Sequence, residues 1–216
     1  MAERCDRKTA AVTETPRRRT QERRTQEQRR AETERRVLEA ATALIAATGS
    51  RSVTLAQVGE AAGYSRGIVY HHFGSRERLI EAVLDRAQNL GLPDSADDGL
   101  GHLVAIVETY LQAVARRAPT TRAFLQLWME AVAADPVVAP LFAERDEGFR
   151  RFLTDVVRRG IADGSVRSGV DPAAAATVLM ALLRGTSLQL IATPPADDVS
   201  GIVREAVRTV RTAYLA

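Results

Sequence analysis

The segment from Thr54 to Phe73, TLAQVGEAAGYSRGIVYHHF, constrains the fold most because its capping and turn residues predict two short helices joined by a tight turn. Thr54, with Gln57 three residues later, forms a capping box that satisfies backbone amides at a helix start. Gly63 stands where this helix ends, since a residue without Cβ adopts the left-handed conformation at low cost. Ser65 is the predicted N-cap of the second helix. Such a helical hairpin is common, and its capping signals alone do not identify a function.

The second helix of the hairpin presents a chemically mixed surface. Ile68 and Val69 are predicted to face inward. The remaining positions, Arg66, Gly67, Tyr70 and His71, are then directed outward. They combine hydrogen-bond donors, a position without a side chain and an aromatic ring. Such a surface suits the phosphates and base edges of DNA. We expect Thr54 and Ser65 to add contacts to the DNA backbone.

With its flanks, the hairpin resembles the DNA-binding domain of the TetR (tetracycline-repressor) family of bacterial regulators. The family motif runs T-hydrophobic-x-x-hydrophobic-A-x-x-A-G-V-S-x-G-x-hydrophobic-Y-x-H/Y-F-x-S/N-K-x-x-L. The resemblance covers the first two-fifths of the chain closely and the remainder by architecture. Nearly every motif position is met, by Thr54, Val58, Ala62, Gly63, Ser65, Gly67, Val69, Tyr70, His72, Phe73, Ser75 and Leu79.

Three positions depart from the family motif. Gly59 replaces the usual alanine, Tyr64 replaces a small apolar turn residue, and Arg76 replaces a lysine that in the family typically meets a phosphate. Arg76 keeps the charge and adds a fork of donors, so we expect the phosphate contact to persist. Gly59 lowers helix propensity and is expected to affect only local stability.

Helical periodicity dominates the chain, which predicts an all-α fold. The resemblance implies an N-terminal three-helix DNA-binding domain with a helix-turn-helix, followed by a C-terminal helical ligand-binding and dimerisation domain. Breaks at glycine and proline predict later helices at about 99–117 and 120–133, from Asp135-Pro136 to about 162, from Asp171-Pro172 to Leu190, and beyond Pro194-Pro195 to near Leu215. The predicted domains are a disordered basic arm (1–28), the DNA-binding domain (29–90, motif 54–73), a linker (91–99) and the helical effector-binding and dimerisation domain (100–216).

Charge is uneven along a chain whose net charge is only +3. The N-terminal segment through Arg36 is crowded with arginine and has almost no apolar residue, which predicts disorder over residues 1–28. Such an arm either follows the DNA backbone or minor groove, or is simply a solvated tail, and we weigh these alternatives about evenly.

Several functional classes are disfavoured by composition. Cys5 is the only cysteine, so an internal disulfide is impossible, and a reducing, cytoplasmic location is expected. His71 and His72 are adjacent and diverge by about 100° on a helix, which argues against a shared metal ion. No phosphate loop or hydrolase motif is present, so neither an enzyme nor a cofactor is expected.

A cluster of aromatic residues between the two predicted ends of the molecule is the candidate effector site. Ligand cavities favour apolar linings with a few polar groups. The alternative is plain core packing, which for any single residue is the stronger interpretation. The candidate lining is Tyr110, Phe124, Trp128, Met129, Phe149 and Phe152, and the candidate polar groups are Gln126, Glu130, Arg184 and Gln189.

The last two predicted helices have broad apolar faces. The resemblance implies that they form a four-helix bundle with a second copy, which places two reading helices about one duplex turn apart on a palindromic operator. The alternative is burial within one chain. The residues concerned are Ala175, Ala176, Val178, Leu179, Leu182 and Leu183, then Val199, Ile202, Val203, Ala206 and Val210.

These observations predict a ligand-responsive transcriptional regulator. The family expectation is a homodimeric repressor that a small apolar or aromatic effector releases from DNA, with the fourth helix as the lever between the two sites. The competing hypothesis is a helical adaptor that binds another protein and retains an unused DNA-binding hairpin. The sequence leaves repression and activation both open.

Overall fold

The computed structural model describes residues 16–192 and 198–216, with side chains from residue 26 onward. Within these ranges the predicted all-α class is confirmed, and the extended pairing there is limited to an isolated bridge between Val166 and Leu215. The described helices are α1 (Pro16–Thr48), α2 (Leu55–Ala62), α3 (Arg66–Phe73), α4 (Arg76–Gln88), α5 (Gly99–Ala115), α6 (Pro119–Val132), α7 (Val138–Asp163), α8 (Pro172–Ala192) and α9 (Ser200–Tyr214).

The chain separates into two compact units, residues 1–36 and residues 37–216. In the first unit α1 begins at Pro16, well before residue 29, where the DNA-binding domain is predicted to begin. Residues 16–28 are therefore helical rather than disordered, whereas residues 1–15 of the predicted arm lie outside the described residues. Proline is favoured at a first helical position, and the arginine, glutamine and glutamate that follow are strong helix formers.

The first apolar core of the second unit extends beyond the helix-turn-helix. It contains residues from the last turns of α1, from helices α2, α3, α4 and α6, and from the start of α7. Residues from both predicted domains therefore share one continuous core, and α4 packs directly on α6. Its fully buried members include Val37, Ile45, Val58, Val69, Leu84, Leu127 and Val138.

The other core is organised around α5, which packs against α7, α8 and α9. The approach of α5 to α7 is close because two glycines face each other. A Cβ atom added to Gly99 would lie 2.2 Å from the Cα of Gly160. Helices cannot approach this closely with a side chain at the crossing point.

The aspartates of the two Asp-Pro pairs bind backbone amides at the starts of the helices that follow them. Asp135 accepts hydrogen bonds from the amides of Val137 and Val138, at 3.0 and 3.1 Å, at the start of α7. Asp171 does the same for the first amides of α8. Gly164 ends α7 in the left-handed conformation, with φ of 81°. Pro194-Pro195 lie outside the described residues.

The apolar faces of α8 and α9 predicted for dimerisation are largely used within the chain. On α8, Ala175, Ala176, Leu179 and Leu183 are buried in the core around α5, whereas Val178 is 60% exposed. On α9 the buried members of the predicted face are Val203, Ala206 and Val210. The interpretation of these buried residues as a dimer surface is therefore wrong, because they belong to the core around α5 within one chain.

Among the described residues, α8 is the one helix long and apolar enough to cross a membrane. Its buried stripe belongs to the core around α5. Core helices of soluble proteins have the same length and composition, so this property does not identify a membrane span.

Candidate nucleic-acid interface and ligand cavity

Local hydrogen bonds fix the helix-turn-helix as the sequence predicts. The Thr54 hydroxyl accepts from the Gln57 amide at 3.3 Å, and the Gln57 side chain accepts from the Thr54 amide at 2.9 Å, which completes the capping box. Gly63 is left-handed, with φ of 77°. The Ser65 hydroxyl accepts from the Ile68 amide at 3.4 Å and starts α3. Thr54 and Gly63 thus fix the two ends of α2, and Ser65 fixes the start of α3, as the sequence predicts.

The outer face of α3 carries the predicted DNA-binding residues. Arg66, Gly67, Tyr70 and His71 are all exposed, and Tyr70 is exposed over 60% of its surface. The face is anchored from behind by Val69, which is completely buried. The prediction that Ile68 faces inward is wrong, because it is 40% exposed. Sequence reasoning missed it because an isoleucine next to a buried valine is usually assigned to the core.

Arg76 lies differently from the expectation of a phosphate contact. Its Nε donates to the carbonyl oxygen of Val53 at 2.9 Å, and one terminal nitrogen donates to the carbonyl oxygen of Ser50. Both carbonyls belong to the 49–53 loop, which connects α1 to α2. The guanidinium therefore holds this loop in place from the first turn of α4.

Gly59 allows α2 to pass close to the turn before α3. A Cβ atom added there would lie 2.8 Å from the carbonyl oxygen of Tyr64 and 3.1 Å from the carbonyl carbon of Ser65. These are backbone atoms, which cannot turn aside as a side chain does. The glycine therefore has a packing role that the motif comparison did not indicate.

We expect Gly59→Ala to lower the free energy of unfolding by about 1 kcal/mol, since the strained backbone contact outweighs the gain in helix propensity. Chemical denaturation measures the change. Ala61→Gly, at an exposed position of the same helix, isolates the propensity effect of about 1 kcal/mol. A stabilised Gly59→Ala protein would show that propensity alone governs this position.

A cavity of about 290 Å³ lies among α4, α5, α7 and α8, with the start of α6 at one side. Of the predicted lining, Tyr110, Phe124 and Phe149 border it. Its remaining wall is mostly apolar. The lining residues that the sequence did not predict as such are Ala87, Gln88, Leu90, Leu92, Val114, Thr121, Arg145, Asp146, Gly148, Met180 and Leu183.

The other three predicted lining residues lie elsewhere. Met129 is 56% exposed. Phe152 packs edge-on against His102, with ring centroids 5.8 Å apart, and lies behind Phe149. Trp128 is covered by the guanidinium of Arg184, 5.2 Å from the ring. The prediction that these three line the cavity is wrong. Trp128 and Phe152 share a helix face with Phe124 and Phe149, respectively, but lie about one turn further along, beyond the cavity, whereas Met129 points to solvent.

One wall of the cavity carries polar groups that are already paired. The Arg184 guanidinium donates to both carboxylate oxygens of Asp146, through Nη1 at 2.7 Å and through Nη2. Arg145 donates to Asp85, on α4. Burial raises the pKa of Tyr110 above its ordinary value, so its phenol stays protonated near neutral pH.

Glu130, predicted as a ligand contact, instead binds the 49–53 loop, and Gln126 supports it. The Glu130 carboxylate accepts from the Ser50 amide at 2.8 Å and from the Ser50 hydroxyl at 2.5 Å. Gln126 donates to the same carboxylate at 3.4 Å. Gln189 is exposed and does not border the cavity. Glu130 therefore connects α6 to the DNA-binding domain rather than to a ligand.

A second bond reinforces this connection just beyond α6. Arg51 of the 49–53 loop donates to Asp135 at 2.8 Å. Burial alone raises the pKa of Asp135, but the bonds from Arg51 and from the amides of Val138 and Val137 outweigh it and hold the pKa below its ordinary value. The carboxylate is thus charged at neutral pH, and it fixes the loop to the start of α7.

The fold and surface define a helix-turn-helix DNA-binding protein with a separate cavity. Residues 37–83 match the profile of bacterial regulatory proteins of the tetR family, and residues 101–215 match that of the BetI-type transcriptional repressor C-terminal domain. The chain therefore belongs to the TetR family of ligand-responsive, DNA-binding transcriptional regulators, which are not enzymes.

Individual relatives are distant. The repressor KstR2 of Rhodococcus jostii is 27% identical over 62% of this chain and 68% of its own length. The regulator SrpR of Pseudomonas putida is 26% identical over 69% of this chain and 71% of its own length. The solved SmeT–triclosan complex is 23% identical with a TM-score of 0.72, covering 85% of this chain and 92% of that one. At this identity the structure supports the fold alone.

Proposed function

We propose that the protein is a cytoplasmic, homodimeric repressor that binds a palindromic operator and is released when a small, largely apolar effector enters the cavity. The observation that carries the DNA-binding part is the exposed outer face of α3. Its side chains are presented on a helix whose ends and buried side are fixed, so few degrees of freedom are lost on binding.

Each exposed group on α3 has a distinct use in a major groove. Arg66 and His71 supply hydrogen-bond donors for phosphates or base edges, and Gly67 lets the helix approach closely. Ile68 offers an apolar contact to a thymine methyl group. The Ser65 hydroxyl accepts from a backbone amide, which leaves its proton for a phosphate.

The proposal of a homodimer is supported by a second face of α8. Ala174, Val178, Ala181 and Gly185 are exposed and follow one another at helical spacing. Small residues of this kind allow two helices to approach closely. A two-fold pair places two copies of α3 about 34 Å apart, which matches successive major grooves on one side of DNA.

The proposal of an effector site rests on the cavity. Its size is near the lower end of the range for small-molecule sites, and three aromatic rings border it. Solved structures of similar fold include complexes with triclosan, with choline, and with isovaleryl coenzyme A and operator DNA. They support a small molecule as the occupant of this cavity.

Helix α6 is the proposed route from the cavity to the DNA-binding surface. Thr121 and Phe124, near its start, border the cavity, and Glu130, near its end, binds Ser50. A ligand that shifts α6 thereby shifts the 49–53 loop and the helix-turn-helix behind it. The predicted lever α4 packs on α6 and takes part in the same movement.

Selection of bound fragments from genomic DNA tests the proposed function. We expect specific fragments with two-fold symmetric sites, and a loss of affinity of about tenfold or more for the double variant Tyr70→Ala, His71→Ala. Binding is measured by fluorescence anisotropy at fixed salt. Equal affinity for random and selected fragments would exclude the regulator and favour the adaptor hypothesis, in which the double variant keeps its protein partner.

A further inference from the structure

The cavity wall contains an ion pair for which a purely apolar effector has no use. Arg184 holds Asp146 through two nearly parallel hydrogen bonds, the geometry in which a guanidinium binds any carboxylate. The side chains are 12% and 20% exposed, respectively. The cavity therefore borders a carboxylate-binding group that is already occupied by a carboxylate of the protein itself.

We propose that the effector is an amphipathic carboxylate whose charged end replaces Asp146 on Arg184 while its apolar body fills the cavity. This inference rests on the proposed function, in which the cavity receives the effector. The exchange preserves the number of charge-assisted hydrogen bonds to Arg184. Burial of the apolar body then supplies the net binding free energy.

The surroundings of Arg184 favour replacement of Asp146 over replacement of Arg184. The guanidinium lies 5.2 Å from the centre of the Trp128 ring and 5.9 Å from that of Phe124, which hold it in place. Asp146 is the more exposed partner and can turn toward water. A cationic ligand on Asp146 would instead leave Arg184 buried without its carboxylate, which is strongly unfavourable.

The second arginine of the wall is already neutralised. Arg145 pairs with Asp85, with Glu81 at 3.9 Å, and neither of these carboxylates belongs to the cavity lining. Arg184 is the arginine of the lining whose carboxylate partner, Asp146, also borders the cavity. A ligand carboxylate is therefore expected to pair with Arg184 rather than with Arg145.

Cavity volume limits the length of the effector. At roughly 30 Å³ per group, the share of one water molecule in the liquid, 290 Å³ accommodates a chain of about ten carbons. Decanoate is the corresponding probe. Its matched controls are 1-decanol, which is neutral, and decyltrimethylammonium, which is cationic.

The experiment measures binding of the three probes to the full chain by calorimetry, below the micelle-forming concentrations of decanoate and decyltrimethylammonium and below the solubility limit of 1-decanol. We expect decanoate to bind about tenfold or more tightly than 1-decanol and decyltrimethylammonium. Equal binding of decanoate and decanol would overturn the proposal, as would preference for the cation. Failure of decanoate to bind at all would overturn it too.

Variants test the exchange itself through the ratio of decanoate to decanol affinity. Arg184→Gln is expected to abolish the preference for decanoate, and Asp146→Asn to increase it by weakening the competitor. If both variants leave this ratio unchanged, the pair is only structural and the proposal is wrong. Because the ratio compares two ligands on one protein, a general loss of stability does not change it.

Gly148→Leu is the control for the site of binding. Gly148 borders the cavity, and a Cβ added there meets no atom within 4 Å, so the larger side chain has room to enter it. This variant is expected to weaken both decanoate and decanol, and unchanged binding would place the probes elsewhere and contradict the proposal. Operator binding without ligand is measured in parallel. Absence of specific DNA binding refutes the proposed function, whereas specific DNA binding without a preference for decanoate refutes only the proposal of a carboxylate effector.

Discussion

Gly99→Ala is expected to lower the free energy of unfolding by about 3 kcal/mol, at the upper end of the usual range for overpacking. The added methyl group would lie 2.2 Å from the Cα and 2.3 Å from the nitrogen of Gly160. Both are backbone atoms of α7, so no rotamer change relieves the contact. Helices α5 and α7 must separate, and the core between them loses contact around Leu103 and Val157.

The measurement is chemical denaturation at one protein concentration, because the stability of an associating protein depends on concentration. Gly160→Ala is expected to be less damaging, since its nearest new contact is with a side-chain atom, Cγ2 of Val166, at 2.5 Å. Gly148→Ala is the matched control in α7. It meets no atom within 4 Å and should be stabilising by up to about 1 kcal/mol.

A different order among these glycine variants would contradict the packing explanation. If Gly99→Ala changed stability no more than Gly148→Ala, α5 and α7 would not approach as closely as the structure shows. The result matters for ligand binding as well, because both helices form walls of the cavity. We therefore expect Gly99→Ala to weaken binding of decanoate and 1-decanol alike, without changing their ratio.

The local parts of the fold are those that the sequence predicts well. Thr54, Gly63 and Ser65 act on neighbours within a few residues, so their pattern alone indicates the caps and the turn. Asp171 caps α8 for the same reason. Contacts between distant segments carry no such signal. Neither the approach of Gly99 to Gly160 nor the bond from Glu130 to Ser50 follows from spacing along the chain.

The candidate sites show the same division. The exposed residues on α3 follow from one short helix with one buried side, and only Ile68 is misplaced. For the cavity, residue type identifies Tyr110, Phe124 and Phe149, but the rotation of each helix and the position along it decide which aromatic ring borders it. Trp128 packs on Arg184 one turn beyond Phe124, and Met129 points to solvent. Asp146 was missed because its importance arises from its pairing with Arg184.

Arg76→Ala distinguishes a structural arginine from a phosphate-binding one. We expect it to lower the free energy of unfolding by about 2 to 3 kcal/mol, since two charge-assisted hydrogen bonds to the Ser50 and Val53 carbonyls are lost. The 49–53 loop then loses its support from α4. Operator affinity should fall as well, because Thr54 and α2 follow directly from that loop.

The salt dependence of DNA binding separates the two roles of Arg76. Each lost phosphate contact reduces the slope of log affinity against log salt by about 0.9, whereas a purely structural arginine leaves the slope unchanged. We expect an unchanged slope for Arg76→Ala, measured well below its thermal midpoint. A shallower slope together with unchanged stability would instead show that Arg76 contacts a phosphate, as the family resemblance implies.

Arg76→Lys completes this comparison because it retains the charge but not the fork of donors. A lysine ammonium at this position reaches one carbonyl of the loop more readily than two, so about half of the stability lost in Arg76→Ala should return. If charge at a phosphate were the main contribution, Arg76→Lys would instead bind DNA like the unmodified protein and be as stable. A stability of Arg76→Lys between those of the unmodified protein and Arg76→Ala would therefore show that one guanidinium binds both the Ser50 and the Val53 carbonyl oxygens.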